Sequence, residues 1–132
     1  MKILSPRVHG YLDYAVVLLL ALAPTLFGFS GTPAALCYVL AILHFGVSAM
    51  TRYPLGLAKV IPFPIHGGIE VVAAIGLMAA PFLLGFSELD SARNFFIASG
   101  IALGGVVLVT NYKAAESGRE VSAARYSRPS FN

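Results

Sequence analysis

The chain has 132 residues, of which 58% are hydrophobic and 11% are charged, and its formal net charge is +3 at pH 7. Soluble globular domains carry about 25% charged residues, so this chain has too few polar side chains to cover a water-facing surface. The same composition excludes intrinsic disorder, and the single cysteine, Cys37, excludes an internal disulfide. The class that remains is an integral membrane protein.

Four apolar runs follow one another along the chain, at residues 11–29, 33–50, 66–86 and 94–110. Each has about the 20 residues that a helix needs to cross the hydrocarbon core of a bilayer. The runs are apolar on every side, whereas the strands of a membrane barrel alternate between polar and apolar residues. The predicted fold is therefore all-α, a four-helix transmembrane bundle that forms one integral membrane domain over residues 1–132.

Basic residues lie almost entirely on one side of this four-span arrangement. Eight of the nine precede the first run, join the second run to the third, or follow the fourth: Lys2, Arg7, Arg52, Lys59, Lys113, Arg119, Arg125 and Arg128. Because basic segments stay in the cytoplasm, both termini are predicted to be cytoplasmic, with a tail at 113–132. No basic stripe is interleaved with aromatic residues, so the sequence predicts a lipid bilayer as partner and no nucleic acid.

The chain contains an internal repeat. At an offset of 57 residues, His-Gly-Tyr-Leu-Asp at 9–13 aligns with His-Gly-Gly-Ile-Glu at 66–70, and after a two-residue slip Thr-Arg-Tyr at 51–53 aligns with Thr-Asn-Tyr at 110–112. Each half is predicted to be a helical hairpin, because a repeat determines the architecture. With an even number of spans in each half, the two hairpins enter the membrane in the same direction, as parallel repeats.

Repeat 1 covers about 9–53 and repeat 2 about 66–112, and a linker joins them at about 54–65. The linker is apolar and rich in proline, so it is predicted to lie in the headgroup region. Proline removes a backbone donor, so Pro24 and Pro81 predict a kink or an end near the close of the first helix in each repeat. Gly28 and Gly85 follow and suit the turn of each hairpin.

This pattern resembles the SPW-repeat family of small bacterial integral membrane proteins. That family carries Ser-Pro-Trp and then a Leu-Gly-Phe-like stretch in the first helix of each two-helix repeat. The corresponding segments here are Ala-Pro-Thr at 23–25 with Gly-Phe at 28–29, and Ala-Pro-Phe at 80–82 with Gly-Phe at 85–86. The proline and the Gly-Phe pair match, whereas the serine and the tryptophan do not. The resemblance implies four spans and a bacterial inner membrane, and it implies no reaction.

Five polar side chains with metal-binding or titrating groups are predicted inside the membrane, all in its cytoplasmic half: His9, Asp13, His44, His66 and Glu70. An ionisable residue at the centre of a membrane helix costs about 2.5–3.5 kcal/mol, so such residues are candidates for function. The spacing i, i+4 places each carboxylate on the same helix face as the histidine before it. A pseudo-twofold axis between the repeats would bring the two pairs face to face.

Two interpretations of this cluster stay open. In the first, His9, His66, Asp13 and Glu70 hold a divalent metal, two histidines hold haem, or the cluster relays protons, because imidazole both binds metals and titrates near neutral pH. In the second, the polar groups only join helices through hydrogen bonds worth about 0.6–2 kcal/mol each. His44 has no counterpart in the second repeat, which slightly favours a functional role.

No nucleophile elbow, nucleotide-binding loop or other catalytic motif is present in the sequence. The sequence therefore favours a non-enzymatic accessory or structural membrane protein without a cofactor, and the alternative is a transport or redox module. Two pairs of small residues, Gly76 with Ala80 and Gly100 with Gly104, are predicted to pack helices within the bundle or to form a homo-oligomer face. Cys37 is predicted to be a small apolar filler.

Overall fold

The computed structural model describes residues 2–127, which form five α-helices and contain no β-strand. These are α1 (Pro6–Phe27), α2 (Gly31–Met50), α3 (Phe63–Leu83), α4 (Asp90–Val109) and α5 (Ala114–Tyr126). The first four have 20 to 22 residues each and are long and apolar enough to cross a membrane. They confirm the predicted all-helical four-helix bundle and indicate a multi-pass membrane protein.

The first helix of each hairpin begins earlier than the apolar run that predicted it. α1 begins at Pro6 and α3 begins at Phe63, with a proline in the first two helical positions in each case. Proline suits these positions because its φ is already helical and its missing N–H would have no partner within the helix. The Ser5 side chain also accepts a hydrogen bond from the Val8 N–H at 3.3 Å. For α1, hydropathy alone missed the first turn because proline, arginine and histidine interrupt the apolar pattern. For α3, the residues 63–65 were assigned to the proline-rich linker.

The same helices continue past their internal prolines. Pro24 lies inside α1, which ends at Phe27, and Pro81 lies inside α3, which ends at Leu83. Gly28 then adopts the left-handed conformation, with φ of 69°. That conformation closes a helix and is easily reached only by glycine. The turn of the first hairpin is thus made by the glycine that follows the helix, a few residues beyond the proline.

The four spans are arranged as two hairpins that meet loosely. α1 packs along its length against α2, and α3 packs against α4, whereas α1 touches α4, and α2 touches α3, at few positions. An apolar core nevertheless joins the hairpins toward the end of the bundle that holds the α1–α2 and α3–α4 turns. Its buried members are Leu20, Ala23, Cys37, Ala41, Leu77, Ala80, Phe86, Ala92 and Phe96.

The small residues contribute unequally to packing. A Cβ added to Gly100 would lie 2.6 Å from the Ala74 carbonyl oxygen, so α3 and α4 approach closely there. A Cβ added to Gly76 or Gly104 would meet open space, and Ala80 lies in the apolar core. The close approach of α3 and α4 therefore depends on one glycine of the two predicted pairs.

At the opposite end of the bundle, two matched backbone bridges tie the hairpins together. Leu4, just before α1, pairs with Thr110, just after α4, and Ile61, just before α3, pairs with Thr51, just after α2. The Asn111 N–H donates to the Leu4 carbonyl at 2.9 Å within the first bridge. Each bridge therefore holds a threonine of one hairpin beside the first turns of the other.

The predicted tail contains a further helix, α5, which carries polar and charged side chains and makes few contacts with the four spans. The last part of the tail, residues 128–132 with the basic residue Arg128, lies outside the described part of the chain.

Candidate metal centre

Four of the five predicted polar side chains meet between the hairpins. His9 and Asp13 from α1 and His66 and Glu70 from α3 are each at most 3% exposed. One nitrogen or oxygen atom from each lies within 4.8 Å of those of the other three. The Nε2 atoms of His9 and His66 are 3.4 Å apart, so α1 and α3 begin at the same end of the bundle.

The distances from each histidine Nε2 atom to the nearest carboxylate oxygens are all between 3.2 and 3.4 Å. The His9 Nε2 atom lies 3.2 Å from Asp13 Oδ1 and 3.3 Å from Glu70 Oε2. The His66 Nε2 atom lies 3.4 Å from Asp13 Oδ2 and 3.4 Å from Glu70 Oε1. Four ligand atoms placed tetrahedrally at about 2.0–2.1 Å from a zinc ion are separated from one another by roughly 3.3 Å. Each Nε2 therefore has the other Nε2 and one oxygen of each carboxylate at the spacing of ligand atoms around a small ion, and the two histidines face different oxygens of each carboxylate.

Threonine hydroxyls determine which nitrogen of each imidazole carries a proton. The hydroxyls of Thr110 and Thr51 each donate to the carbonyl four residues earlier in their own helix, at 2.7 and 2.6 Å. Each also lies close to an imidazole of the other hairpin, Thr110 at 2.9 Å from His9 Nδ1 and Thr51 at 2.7 Å from His66 Nδ1. A hydroxyl has one proton to donate, so each threonine oxygen accepts from the imidazole N–H. Both histidines thus carry a proton on Nδ1 and direct Nε2 toward the centre.

Tyrosine hydroxyls hold one oxygen of each carboxylate. The Tyr53 hydroxyl donates to Asp13 Oδ2 at 2.8 Å, and the Tyr112 hydroxyl donates to Glu70 Oε2 at 2.9 Å. Burial, together with the neighbouring carboxylate charge, raises the pKa of both phenols, so they stay protonated as donors. Each carboxylate therefore has one oxygen bound to a tyrosine, and both of its oxygens lie 3.2–3.4 Å from a histidine Nε2. Among the described residues, Glu70 Oε1 is buried with no hydrogen-bond donor.

The glycine that follows each histidine makes room for these tyrosines. A Cβ on Gly10 would lie 2.8 Å from the ring of Tyr53, and a Cβ on Gly67 would lie 2.7 Å from the ring of Tyr112. Both distances are shorter than real carbon contacts, so the aromatic rings pack directly on the helix backbone. This packing gives the repeated His-Gly sequence a physical reason: the histidine enters the cluster, and the glycine admits the tyrosine that supports it.

His44, the fifth predicted residue, lies beside the cluster without joining it. Its Nε2 atom is 3.7 Å from Asp13 Oδ1, which is too long for a hydrogen bond, and its side chain is 15% exposed. The Nε2 atom is buried and has no hydrogen-bond partner among the described residues. His44, Asp13 and Glu70 also line a cavity of about 480 Å³ that is otherwise mainly apolar. The structure therefore separates His44 from the four residues that threonine and tyrosine support.

The donor set favours a metal ion over haem. Two imidazoles and two carboxylates are a normal set for zinc and related divalent ions. A porphyrin needs open space around the axis that joins its two histidines, whereas oxygens of Asp13 and Glu70 lie 3.2–3.4 Å from the two Nε2 atoms here and fill that space. A proton relay remains compatible with the chain of polar contacts.

The supporting residues were not predicted, although a signal for them exists. The alignment of 51–53 with 110–112 pairs Thr51 with Thr110 and Tyr53 with Tyr112. Their repetition at the end of each half could have indicated a shared role. Their contacts with a histidine of the other hairpin, or with a carboxylate about 40 residues away, depend on how the helices pack, which a linear pattern does not specify.

Comparison with known proteins gives no family for this chain. It matches no protein-family model, no curated protein and no solved structure. Its function is therefore inferred from the chemistry of the site itself.

Proposed function

We propose that this protein is a non-enzymatic accessory or structural membrane protein in which one divalent metal ion, zinc above all, links two helical hairpins. The Nε2 atoms of His9 and His66 and one oxygen each of Asp13 and Glu70 would bind the ion. The observation that carries this proposal is the inward Nε2 of both histidines, fixed by threonine hydroxyls. Histidines that bind metals usually donate their other N–H to such an acceptor, which sets the ring orientation and the protonated nitrogen.

The charges of the cluster also support a divalent cation. Asp13 and Glu70 place two carboxylates in a region that excludes water, and both side chains are at most 3% exposed. Burying unpaired ions costs several kcal/mol each. With neutral imidazoles, two negative charges and a divalent ion give a site of zero net charge. The ion would also occupy the lone pairs of Glu70 Oε1, the buried oxygen to which no described residue donates.

The number of ligands supports a structural role. Structural zinc sites have four protein ligands, whereas catalytic sites keep one position open for water or substrate. Four side chains surround this centre, two from each hairpin. Besides the two backbone bridges and the two His–Thr bonds, the hairpins meet at few positions, so an ion here would add a further link between them at this end of the bundle.

A second candidate function, a transport or redox module, is favoured by His44. The His44 Nε2 atom, which has no hydrogen-bond partner among the described residues and lies 3.7 Å from Asp13 beside a cavity, could take an ion or a proton from the cluster. In that case the centre would exchange its ion and would not retain it. His44 therefore separates the two candidates experimentally, because only the second requires it.

We further propose that the chain is an internal duplication related to the SPW-repeat family, set in a bacterial inner membrane with both termini in the cytoplasm. Matched contacts support the duplication: the two His–Thr bonds and the two Tyr–carboxylate bonds use residues that align between the halves. The distribution of basic residues supports the orientation. Gel filtration of the purified protein would test the homo-oligomer that the small residues predict.

Elemental analysis of the purified full-length protein tests the metal site. We expect about one zinc ion per chain, and a cobalt-substituted sample should show the visible absorption bands of a tetrahedral site. His66→Ala should abolish stoichiometric binding, because it removes a ligand whose side chain is fully buried. His44→Ala is the matched control and should keep the ion, since it removes the same type of side chain from outside the four-residue set.

Two outcomes would contradict the proposal. The first is a wild-type protein that remains metal-free after incubation with excess zinc and shows no change in melting temperature. The second is a loss of metal in His44→Ala as complete as that in His66→Ala. Ion or proton flux in proteoliposomes that His44→Ala abolishes, with metal content retained, would favour the transport candidate over the structural one.

A further inference from the structure

A second polar feature lies at the end of the bundle where α1 begins. It is a cavity of about 410 Å³, which falls within the range of small-ligand pockets. Three basic side chains line it: Arg7 from the first turn of α1, and Arg52 and Lys59 from the linker between α2 and α3. Within the described part of the chain, no acidic residue lines the cavity, and residues 114 and 115 of α5 close one side of it.

The charges of these three residues are not neutralised within the described residues 2–127. The ion pairs found there involve other side chains, namely the central histidines and carboxylates, and Arg93 with Asp90. Three cations around one cavity repel one another, and the positive end of the α1 dipole adds to the potential. The cavity is therefore complementary to an anion.

The local backbone holds two of these cations at the cavity. The Arg52 Nε–H donates to the Lys59 carbonyl at 3.0 Å, which closes the linker into a loop. Lys59 adopts φ of 50°, a left-handed conformation that non-glycine residues rarely use. The Arg52 bond uses Nε, and the outer nitrogens of its guanidinium have no partner among the described residues, so these can bind phosphate through two parallel hydrogen bonds.

We propose that this cavity binds the phosphate of an anionic phospholipid headgroup. A lipid is the fitting source because the cavity lies where a predicted membrane span begins. Exposed apolar side chains also flank it in the chain, Ile3 at 66% exposure, Leu57 at 78% and Val60 at 53%. Basic pockets at the ends of membrane helices bind anionic headgroups, and adjacent apolar side chains suit the acyl chains. The inference goes beyond the metal centre, because none of the three cations takes part in that centre.

Native mass spectrometry of the full-length protein in detergent tests this proposal, with phosphatidylglycerol titrated against phosphatidylcholine. We expect tighter binding of phosphatidylglycerol. Arg7→Gln and Lys59→Asn should each weaken it about fivefold, and the double variant about 25-fold. Asparagine is chosen at position 59 because it tolerates the left-handed backbone, so this variant keeps the loop folded. The control is the double variant Lys2→Gln/Arg125→Gln, which removes the same charge from basic residues outside the cavity.

Each result decides the proposal. Loss of phosphatidylglycerol in the cavity variants, with wild-type binding in the control, supports the site. Equal weakening in the control would mean general attraction to a basic surface and would overturn it. Inorganic phosphate that displaces the lipid at equal concentration would overturn the lipid assignment in favour of a soluble anion. Zinc content, measured in the same samples, reports on the metal centre separately, so failure of one proposal is distinguishable from failure of the other.

Discussion

Replacing Thr110 by valine removes the acceptor for the Nδ1–H of His9 while nearly preserving side-chain volume. The lost bond is 2.9 Å long, and both partners are fully buried. The unpaired N–H then costs about 1–3 kcal/mol when His9 is protonated on Nδ1, the tautomer whose Nε2 can bind the metal. The imidazole can escape this cost by moving its proton to Nε2, which destroys the metal ligand. We therefore expect zinc affinity to fall about 10- to 100-fold, the usual cost of removing such a partner.

Competition with a chromophoric chelator measures this affinity in the purified protein. Thr110→Ser is the matched control, because serine keeps the hydroxyl, and it should bind zinc within about threefold of wild type. Thr51→Val should show the same loss as Thr110→Val, since Thr51 supports His66 in the same way at 2.7 Å. The reasoning would be refuted if Thr110→Val bound zinc as tightly as wild type, or if the serine variant were impaired equally.

Other perturbations have expected outcomes that follow from the same contacts. Tyr112→Phe removes the donor to Glu70 and should weaken zinc binding about tenfold, measured by the same competition. Gly67→Ala places a Cβ 2.7 Å from the Tyr112 ring and should lower stability by about 1–3 kcal/mol in thermal unfolding, whereas Gly68→Ala, in open space, should not. Gly100→Ala should destabilise by a similar amount because the clash is with backbone, whereas Gly104→Ala should be neutral or stabilising by up to about 1 kcal/mol. Metal removal by chelation should lower the melting temperature of wild type, and zinc affinity should fall as pH falls, because protons compete for the ligands.

The spans and the central residues followed from local patterns. Long apolar runs specify membrane helices almost by length alone, and the i, i+4 spacing places His9 with Asp13 and His66 with Glu70 whatever the packing. Which of the predicted polar residues meet, and what supports them, depended on tertiary geometry. Whether His44 would join the cluster was set by how α2 packs against α1, and the sequence pattern carries no measure of that distance.

The predicted starts of α1 and α3 were wrong for a different reason. The apolar runs began at residues 11 and 66, whereas the helices begin at Pro6 and Phe63. At α1 the added turn contains Arg7 and His9, and at α3 the added residues 63–65 belong to the proline-rich stretch assigned to the linker, so the apolar runs alone do not indicate these starts. The capping serine and the early prolines do, because they satisfy or remove the free N–H groups of a helix start.

The threonine of each hairpin bonds the histidine of the other hairpin, and this determines whether either half could form its part of the centre alone. Each hairpin supplies the tyrosine for its own carboxylate, Tyr53 for Asp13 and Tyr112 for Glu70, but borrows the threonine for its histidine from the other half. Cutting the chain in the linker would therefore leave both fragments with an imidazole whose outer nitrogen has lost its acceptor. Neither half can form the centre alone, because each needs the threonine of the other to orient its histidine.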